Sequence, residues 1–353
     1  MQTSGTVAGM TTAESQLVVA VTGPTGTLGF GLLPLLEADP RITRVVGIAR
    51  RPFDPAAHGW SKMVYRRGDV RDPSSIEQAV RGADVVVHLA FSITGSASHA
   101  RTRAVNVEGT LNVVRAAGRA GVRRFVFSSS VAAYGFHGDN PVGMTEEWPV
   151  RPADHLFYAR EKAEVERLLG EEVAGHPELG LYLLRPSIVL GPHTLGAKTL
   201  VPRMPAPLGS LTRRVGRRAA ATVAGLPLRP AVPVPRLPVQ FVHEDDVGQA
   251  VLLCIVGAGP PGAYNIAGDG VLATTDVARE LGLTPIPVPH AWTRVPARAV
   301  ASLAAVPLVP PAIEWAEALS QPAIMDTAKA KRQLGWQPRY SALAALRATL
   351  DHH

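Results

Sequence analysis

The residues Leu17-Val-Val-Ala-Val-Thr-Gly-Pro-Thr-Gly-Thr-Leu-Gly-Phe-Gly31 decide how this chain folds. Leu17 to Val21 is a run of aliphatic and β-branched side chains, the composition of a strand buried on both faces. The run breaks at Thr22-Gly23, and apolar residues then recur at Leu28, Leu32, Leu33, Leu35 and Leu36, which suits a helix. Strand, glycine turn and helix aim backbone N–H groups and the positive end of a helix dipole at a phosphate. Gly23 allows the tight turn, Gly26 the close approach of a pyrophosphate, and Gly29 the packing of helix on strand. The spacing is G-x-x-G-x-x-G, a variant of the G-x-G-x-x-G fingerprint. A glycine-rich turn by itself joins many strands to helices. The strand before it and the helix after it are what point to a dinucleotide.

Outward from this unit the pattern repeats. Arg44–Ala49 reads as a second strand and Val64–Arg66 as a third, ending at Gly68-Asp69-Val70. Asp72-Pro73-Ser74 opens a short helix, and Ala83–Ala90 is a fourth strand. A helix from about residue 101 to 120 precedes a fifth strand, Arg124–Ser128. A helix through 158–169 precedes a sixth, Leu181–Pro186. This alternation predicts an α/β fold built on a doubly wound, Rossmann-like parallel sheet. Such sheets bind ligands at the carboxyl ends of their strands. The glycines, Ala90, Ser128–Ser130 and Arg185-Pro186 all fall at those ends.

From Pro192 the texture changes. Residues 200–240 carry eight prolines, poor material for long helices or central strands. A short strand, Val239–Val242, leads into His243-Glu-Asp-Asp246 and an apolar helix, and Ala263–Ala267 is another short strand. The expected organisation is a disordered tail over 1–16 and a dinucleotide-binding domain over 17–191, to which 239–267 returns. Most of 192–353 is then a smaller, interwoven, proline-rich substrate domain.

The 353 residues are 46% apolar and 18% charged, the balance of a globular enzyme with a substantial core. The single cysteine, Cys254, excludes an intrachain disulfide and a cysteine-cluster metal site. It fits a reducing compartment and a buried hydrophobe. No secretory signal or membrane-length apolar run is present, so a soluble, cytoplasmic protein is expected. The net charge of +7 is concentrated: nine Lys or Arg and no acid lie between Leu179 and His243. No aromatics interleave with these arginines for base stacking, which argues against nucleic acid. Arg213, Arg214, Arg217 and Arg218 are either an anion site or a solvated or subunit-contact face.

The sharpest chemical constellation is Ser128-Ser129-Ser130 at a strand end, followed by Tyr158-Ala-Arg-Glu-Lys162. Tyr and Lys four apart share one helix face. An ammonium beside a phenol, with a nicotinamide cation near, lowers the phenol's pKa toward working pH so that it can exchange a proton with a substrate oxygen. Other candidates are weaker. The His243–Asp246 run cannot all face one metal ion, and helix capping by its acids is the plainer role. His88 inside an apolar strand reads as a satisfied core histidine, and His137 as a loop residue near the site. No metal site is expected.

Here the chain resembles the extended short-chain dehydrogenase/reductase family, also called the NAD-dependent epimerase/dehydratase family, over about residues 17–340. The resemblance rests on Thr22–Gly29, Gly68-Asp-Val-Arg-Asp72, Val87-His-Leu-Ala90, Asn106-Val-Glu-Gly-Thr110, Phe127-Ser-Ser-Ser130 with Tyr134-Gly135, and Tyr158-x-x-x-Lys162. Arg185-Pro186 with Gly191-Pro192, Phe241–Val247 and Leu334-Gly-Trp336 complete it. It implies that Tyr158 transfers the proton, that Lys162 holds the cofactor ribose and lowers the tyrosine pKa, and that Ser130 orients the substrate oxygen. The cofactor would lie over Gly23, Thr25, Gly26, Thr27, Leu28 and Gly29. Asp69 and Val70 would flank the adenine, Leu89 and Ala90 would line the cofactor, Ser128 would face the nicotinamide, and Arg185 and Pro186 would also bind the cofactor. Asn106 is either near the site or bonded to local backbone. A homodimer through the helices near 101–120 and 157–169 is also what the family implies.

Two finer expectations follow. The second strand ends Ala49-Arg50-Arg51 with no carboxylate for a ribose 2′-OH, and two arginines suit a 2′-phosphate, so NADP is favoured over NAD. Nucleotide-sugar members carry an Asn where this chain has Ile188, and the Val131-Ala132-Ala133 that follows Ser130 offers no acid for dehydration. The expected reaction is therefore reversible hydride transfer to a hydrophobic ketone or aldehyde. A nucleotide-sugar epimerase or dehydratase with tightly bound NAD is the alternative, and a non-catalytic dinucleotide sensor is the alternative of another class.

Overall fold

The computed structural model describes residues 16–93, 99–153, 156–194, 230–289 and 321–351. The tail over 1–15 and the arginines between 198 and 229 therefore lie outside the described residues.

Seven parallel strands form the central sheet: β1 (Leu17–Thr22), β2 (Ile42–Ala49), β3 (Met63–Arg67), β4 (Val85–His88), β5 (Arg124–Ser128), β6 (Gly180–Pro186) and β11 (Gly262–Ile266). Their spatial order is β11-β6-β5-β4-β1-β2-β3. The order in which strands are added reverses across the parallel β1–β4 pair, where Thr22 stands opposite His88. That switch point opens a crevice at the carboxyl ends of the two strands. Period-two alternation divides the core: Val19 and Val21 join one apolar cluster and Ala20 the other.

On one face lie α1 (Thr27–Ala38) and α6 (Glu244–Val256). They pack unusually closely, because Gly31 faces the Glu244 carbonyl and Gly248 faces the Gly31 carbonyl with no room for a Cβ on either. Fully buried Trp336 joins this side, its indole donating to the Asp246 carbonyl. The other face carries α2 (Pro73–Val80), α3 (His99–Arg103), α4 (Gly109–Arg119) and α5 (Phe157–Ala174). Asp72 caps α2, accepting from the Ser74 N–H, with Pro73 in the first turn.

The single helix expected over 101–120 is not continuous. One π-helical turn, Ala104–Glu108, separates α3 from α4. Its centre is Asn106, whose side chain is held by groups outside the helix. The strand expected at Val239–Val242 is also split, into β9 (Pro238–Val239) and β10 (Phe241–His243). Between them the Gln240 side chain is taken by the Met325 backbone, accepting at 2.8 Å and donating at 3.1 Å. β10 pairs in parallel with β7 (Ile188–Leu190), and β9 pairs antiparallel with β12 (Leu272–Ala273). The remaining elements are β8 (Ala231–Pro235), paired with β13 (Thr284–Val288), then α7 (Thr274–Glu280) and α8 (Ala342–Asp351).

Candidate active site at the sheet's carboxyl edge

The glycine turn sits at the switch point. Gly23 has φ +70°, and a Cβ there would lie 2.7 Å from the Ala90 nitrogen, so β1 and β4 can meet only because this residue lacks a side chain. A Cβ on Gly29 would overlap the Pro24 carbonyl, whereas one on Gly26 would meet nothing nearer than the Gly23 oxygen at 3.5 Å. The surface over Gly26 is thus open to a ligand. α1 begins at Thr27 with Gly26 as its cap residue and no side-chain cap. Its first N–H groups therefore point outward at the positive end of the dipole, where an anion is favoured. Thr25 and Leu28 are half-buried beside the turn. Thr27 offers only backbone there, since its hydroxyl donates to the His193 carbonyl at 2.9 Å.

At the ends of β2 and β3, Arg50 and Arg51 are exposed. Asp69 holds Arg71 through two bonds of 3.0 and 2.7 Å. This bonding keeps the Asp69 carboxyl below its ordinary range, with a smaller contribution from Arg50. Val70 is buried behind it.

Ser130, Tyr158 and Lys162 converge beyond β5. The Ser130 hydroxyl accepts from the Ala132 N–H at 3.1 Å and hydrogen-bonds the Tyr158 phenol. Lys162 donates to the Ser128 carbonyl at 2.5 Å and lies 3.5 Å from the centroid of Phe91 and 4.6 Å from that of Phe127. Phe91 also meets Tyr158 edge to face, with ring centroids 5.7 Å apart.

Burial dominates the electrostatics of the pair in the protein without its cofactor. Burial raises the phenol to about 12, with the Ser130 bond only partly offsetting it. Burial likewise pulls the ammonium down to about 7, against the attraction of Glu166 and Glu161.

Three further residues have protein partners that the sequence did not name. Arg185, expected among the cofactor-binding residues, gives its guanidinium to Glu166 and to the Tyr134 hydroxyl. Pro186 is buried at the end of β6, paired with Ile266. The Asn106 side chain does not bond its own helix. It clamps the Ser92 backbone, accepting at 2.7 Å and donating at 3.0 Å, and donates to Glu161 at 2.7 Å. That clamp fixes the loop carrying Phe91. Of the His243–Asp246 acids, none caps α6 by a side-chain bond, because the His243 ring accepts from the Asp245 N–H. Glu244 holds His193, and Asp246 accepts from the Arg339 and Tyr340 N–H groups.

His88 is a core histidine. Thr110 donates to the Asn106 carbonyl, so its oxygen accepts from His88 Nε2–H, leaving Nδ1 to accept from Thr22. Burial lowers its pKa to about 3. His137 donates to the Arg151 carbonyl. Sequence reasoning missed Phe91, Glu166 and Ser187. The Ser187 hydroxyl is buried without a partner just past β6. Among the described residues no group of three or more His, Cys, Asp or Glu could hold a metal, and no helix is long and apolar enough to cross a membrane.

Comparison with known proteins gives a consistent picture. The sequence profile of the NAD dependent epimerase/dehydratase family matches residues 19–267. An uncharacterised protein of Mycobacterium tuberculosis is 27% identical over 339 residues, covering 93% of this chain and 82% of the relative. Over 180 residues, half of this chain, N-acetyl-alpha-D-glucosaminyl-diphospho-ditrans,octacis-undecaprenol 4-epimerase of Escherichia coli is 33% identical, across 50% of its length. Sterol demethylase protein B of Methylococcus capsulatus is 36% identical over a stretch of 180 residues, 52% of its length. A solved UDP-glucose 4-epimerase of Thermus thermophilus, in complex with NAD, superposes with a TM-score of 0.67 at 22% identity, covering 95% of this chain and 98% of that one.

Proposed function

This chain belongs to the NAD dependent epimerase/dehydratase family, and within it we propose that the protein inverts a secondary-alcohol carbon of a diphosphate-linked sugar by way of a transient ketone. The observation that carries the reading is the Ser130–Tyr158 hydrogen bond next to Lys162, at the strand ends that flank an uncapped helix N-terminus. The family match and the sugar 4-epimerase relatives support a sugar over the apolar carbonyl compound first expected.

Gly23, Gly26 and the first N–H groups of α1 would hold the pyrophosphate, Asp69 and Val70 the adenosine, and Ser128 and Lys162 the nicotinamide end. A bound nicotinamide dinucleotide supplies the acceptor and donor of hydride. Tyr158 takes the proton of the substrate hydroxyl at Oη and later returns it, while Ser130 holds the same oxygen. Proton transfer of this kind is worth about 10²–10⁴ in rate. For Tyr158 to act as a base, its phenolate needs the positive charge of Lys162, which is why both side chains share one buried face.

A second reading, NADPH-dependent reduction of an apolar ketone, is favoured by specific residues. Arg50 and Arg51 suit a 2′-phosphate, Ile188 cannot donate to a sugar diphosphate, and Phe91, Phe136 and Phe157 surround Tyr158 with apolar surface. We further take the enzyme to be a cytoplasmic homodimer acting on a small-molecule substrate.

The test is incubation with nucleotide- and polyprenyl-diphosphate sugars, and separately with apolar ketones, while NAD(P)H absorbance is followed. Sugar interconversion without net cofactor consumption, lost in Tyr158→Phe, supports the epimerase. Stoichiometric NADPH loss on ketones overturns it in favour of the reductase. Dinucleotide binding with no turnover of any substrate overturns both and leaves the sensor.

A further inference from the structure

Beneath the serine turn lies a buried charge cluster that the proton transfer above does not use. Glu166 stands one helical turn past Lys162 on α5 and is 7% exposed. One of its carboxylate oxygens accepts from the Ser129 hydroxyl at 2.5 Å and from Arg185 Nε at 3.0 Å. The other accepts from Arg185 Nη2 at 2.5 Å. Arg185 Nη1 donates to the Tyr134 hydroxyl at 2.8 Å, and Tyr134 donates in turn to Asn265 on β11. The cluster thereby joins the end of β5, α5, β6, the turn at Val131–Tyr134 and the edge strand of the sheet.

As a device for stability such an ion pair is a poor choice, because taking both charges out of water cancels most of their attraction. Its position is more informative. Ser129 is flanked by Ser128, whose carbonyl accepts from Lys162, and by Ser130, which hydrogen-bonds Tyr158. Ser129 is fixed twice, by its hydroxyl to Glu166 and by its N–H to the Leu184 carbonyl at 2.7 Å. Glu166 also shares a helix face with Lys162, so its charge acts on the ammonium through a dry interior.

We propose that Glu166, with Arg185 as its counter-ion, is a positioning residue that locks the serine turn and holds the charge of Lys162. The proposal rests on the reading that Tyr158 and Lys162 carry the proton transfer. The groups facing Lys162 are Tyr158, Glu161 and Glu166 from α5, neutral His88 from β4, Phe127 and the Ser128 carbonyl from β5, and Phe91 from the loop after β4. From β6, Arg185 stands behind Glu166 and is bonded to it. Burial among the aromatic rings disfavours the ammonium, and Glu166 is the larger of the two carboxylate influences that oppose this.

The test reads the lysine directly. The chain has five lysines, Lys62, Lys162, Lys198, Lys329 and Lys331, so ¹³C-labelled lysine gives resonances that single Lys→Arg variants assign. In pH titrations of the full chain, Glu166→Gln lowers the Lys162 midpoint by about 0.5–1 pH unit, because Arg185 then repels it unopposed. Arg185→Met raises the midpoint, because Glu166 is no longer neutralised. The double variant, which replaces both charges by neutral side chains of similar size, falls between Glu166→Gln and wild type and serves where a single variant does not fold. In kcat/KM profiles the limb assigned to Lys162 moves by the same amount. A midpoint unmoved by Glu166→Gln, or moved the same way by both single variants, overturns the proposal. If the midpoints order as expected but no substrate turns over, the functional reading fails and the positioning role stands.

Discussion

Replacing Gly248 by Ala puts a methyl carbon 2.1 Å from the Gly31 carbonyl oxygen, where ordinary contact begins at 3.4 Å. The atom it meets is backbone, so no flexible side chain can yield. The reciprocal contact, a Cβ on Gly31 against the Glu244 carbonyl at 2.2 Å, shows that the two helices are already as close as glycines permit. α1 and α6 must then part by about 1.3 Å, which as overpacking costs roughly 1–3 kcal/mol. Helix propensity acts in the other direction, since Ala is better than Gly in a helix interior by about 1 kcal/mol. The backbone clash wins, leaving a net loss of up to about 2 kcal/mol and a melting temperature lower by up to a few degrees. The displaced α1 also carries the N–H groups at Gly26–Gly29, so dinucleotide affinity falls on the order of tenfold, as a misplacement of about 1 Å in a binding group does. Gly170→Ala on α5 is the matched control, because a Cβ there meets nothing within 4 Å. That variant gains about 0.5–1 kcal/mol from propensity alone. Urea denaturation of both variants and fluorescence titration with NADH and NADPH make the measurement. A Gly248→Ala protein as stable as wild type would refute the close-packing argument.

Other consequences are more local. Gly23→Ala combines a left-handed φ of +70° with a Cβ 2.7 Å from the Ala90 nitrogen. It should lose about 2–4 kcal/mol of stability, together with dinucleotide binding, read by denaturation and titration. Removing both Arg50 and Arg51 as alanines weakens NADPH binding by about 5- to 30-fold and leaves NADH within about twofold; equal losses for both cofactors would refute a 2′-phosphate role. His88, lowered to about 3, binds its proton in the unfolded chain near pH 6.5 but not in the folded one. Between those values the unfolded state carries more protons, so this residue's contribution to stability rises with pH, amounting to a few kcal/mol over the window. An NMR titration should show a neutral Nε2–H imidazole down to about pH 4, and a midpoint near 6.5 would refute the buried network.

Much of the fold was legible because its signals are local. A buried parallel strand needs a continuous apolar run, a helix needs its own periodicity, and a strand–helix turn at a phosphate needs glycine. Each of these is written within about ten residues of the chain. Tyr158 and Lys162 were legible for the same reason, since a spacing of four fixes a shared helix face whatever surrounds it. By itself the sequence therefore determined the alternating strands, the glycine turn and the tyrosine–lysine pair. What it left undecided is which distant groups meet. Arg185 finds Glu166 across 19 positions, Asn106 finds Ser92 across 14, and Gly31 on α1 meets Gly248 on α6, a helix from the other end of the chain packed on the same face of the sheet. The place of Arg185 at a strand end is local information and was legible, whereas the buried carboxylate that pairs with it is not. The ionisation of Tyr158 and Lys162 followed the same rule. Neighbours in sequence supply the charges, but only tertiary packing removes the water, and here the removal of water sets the direction of both shifts.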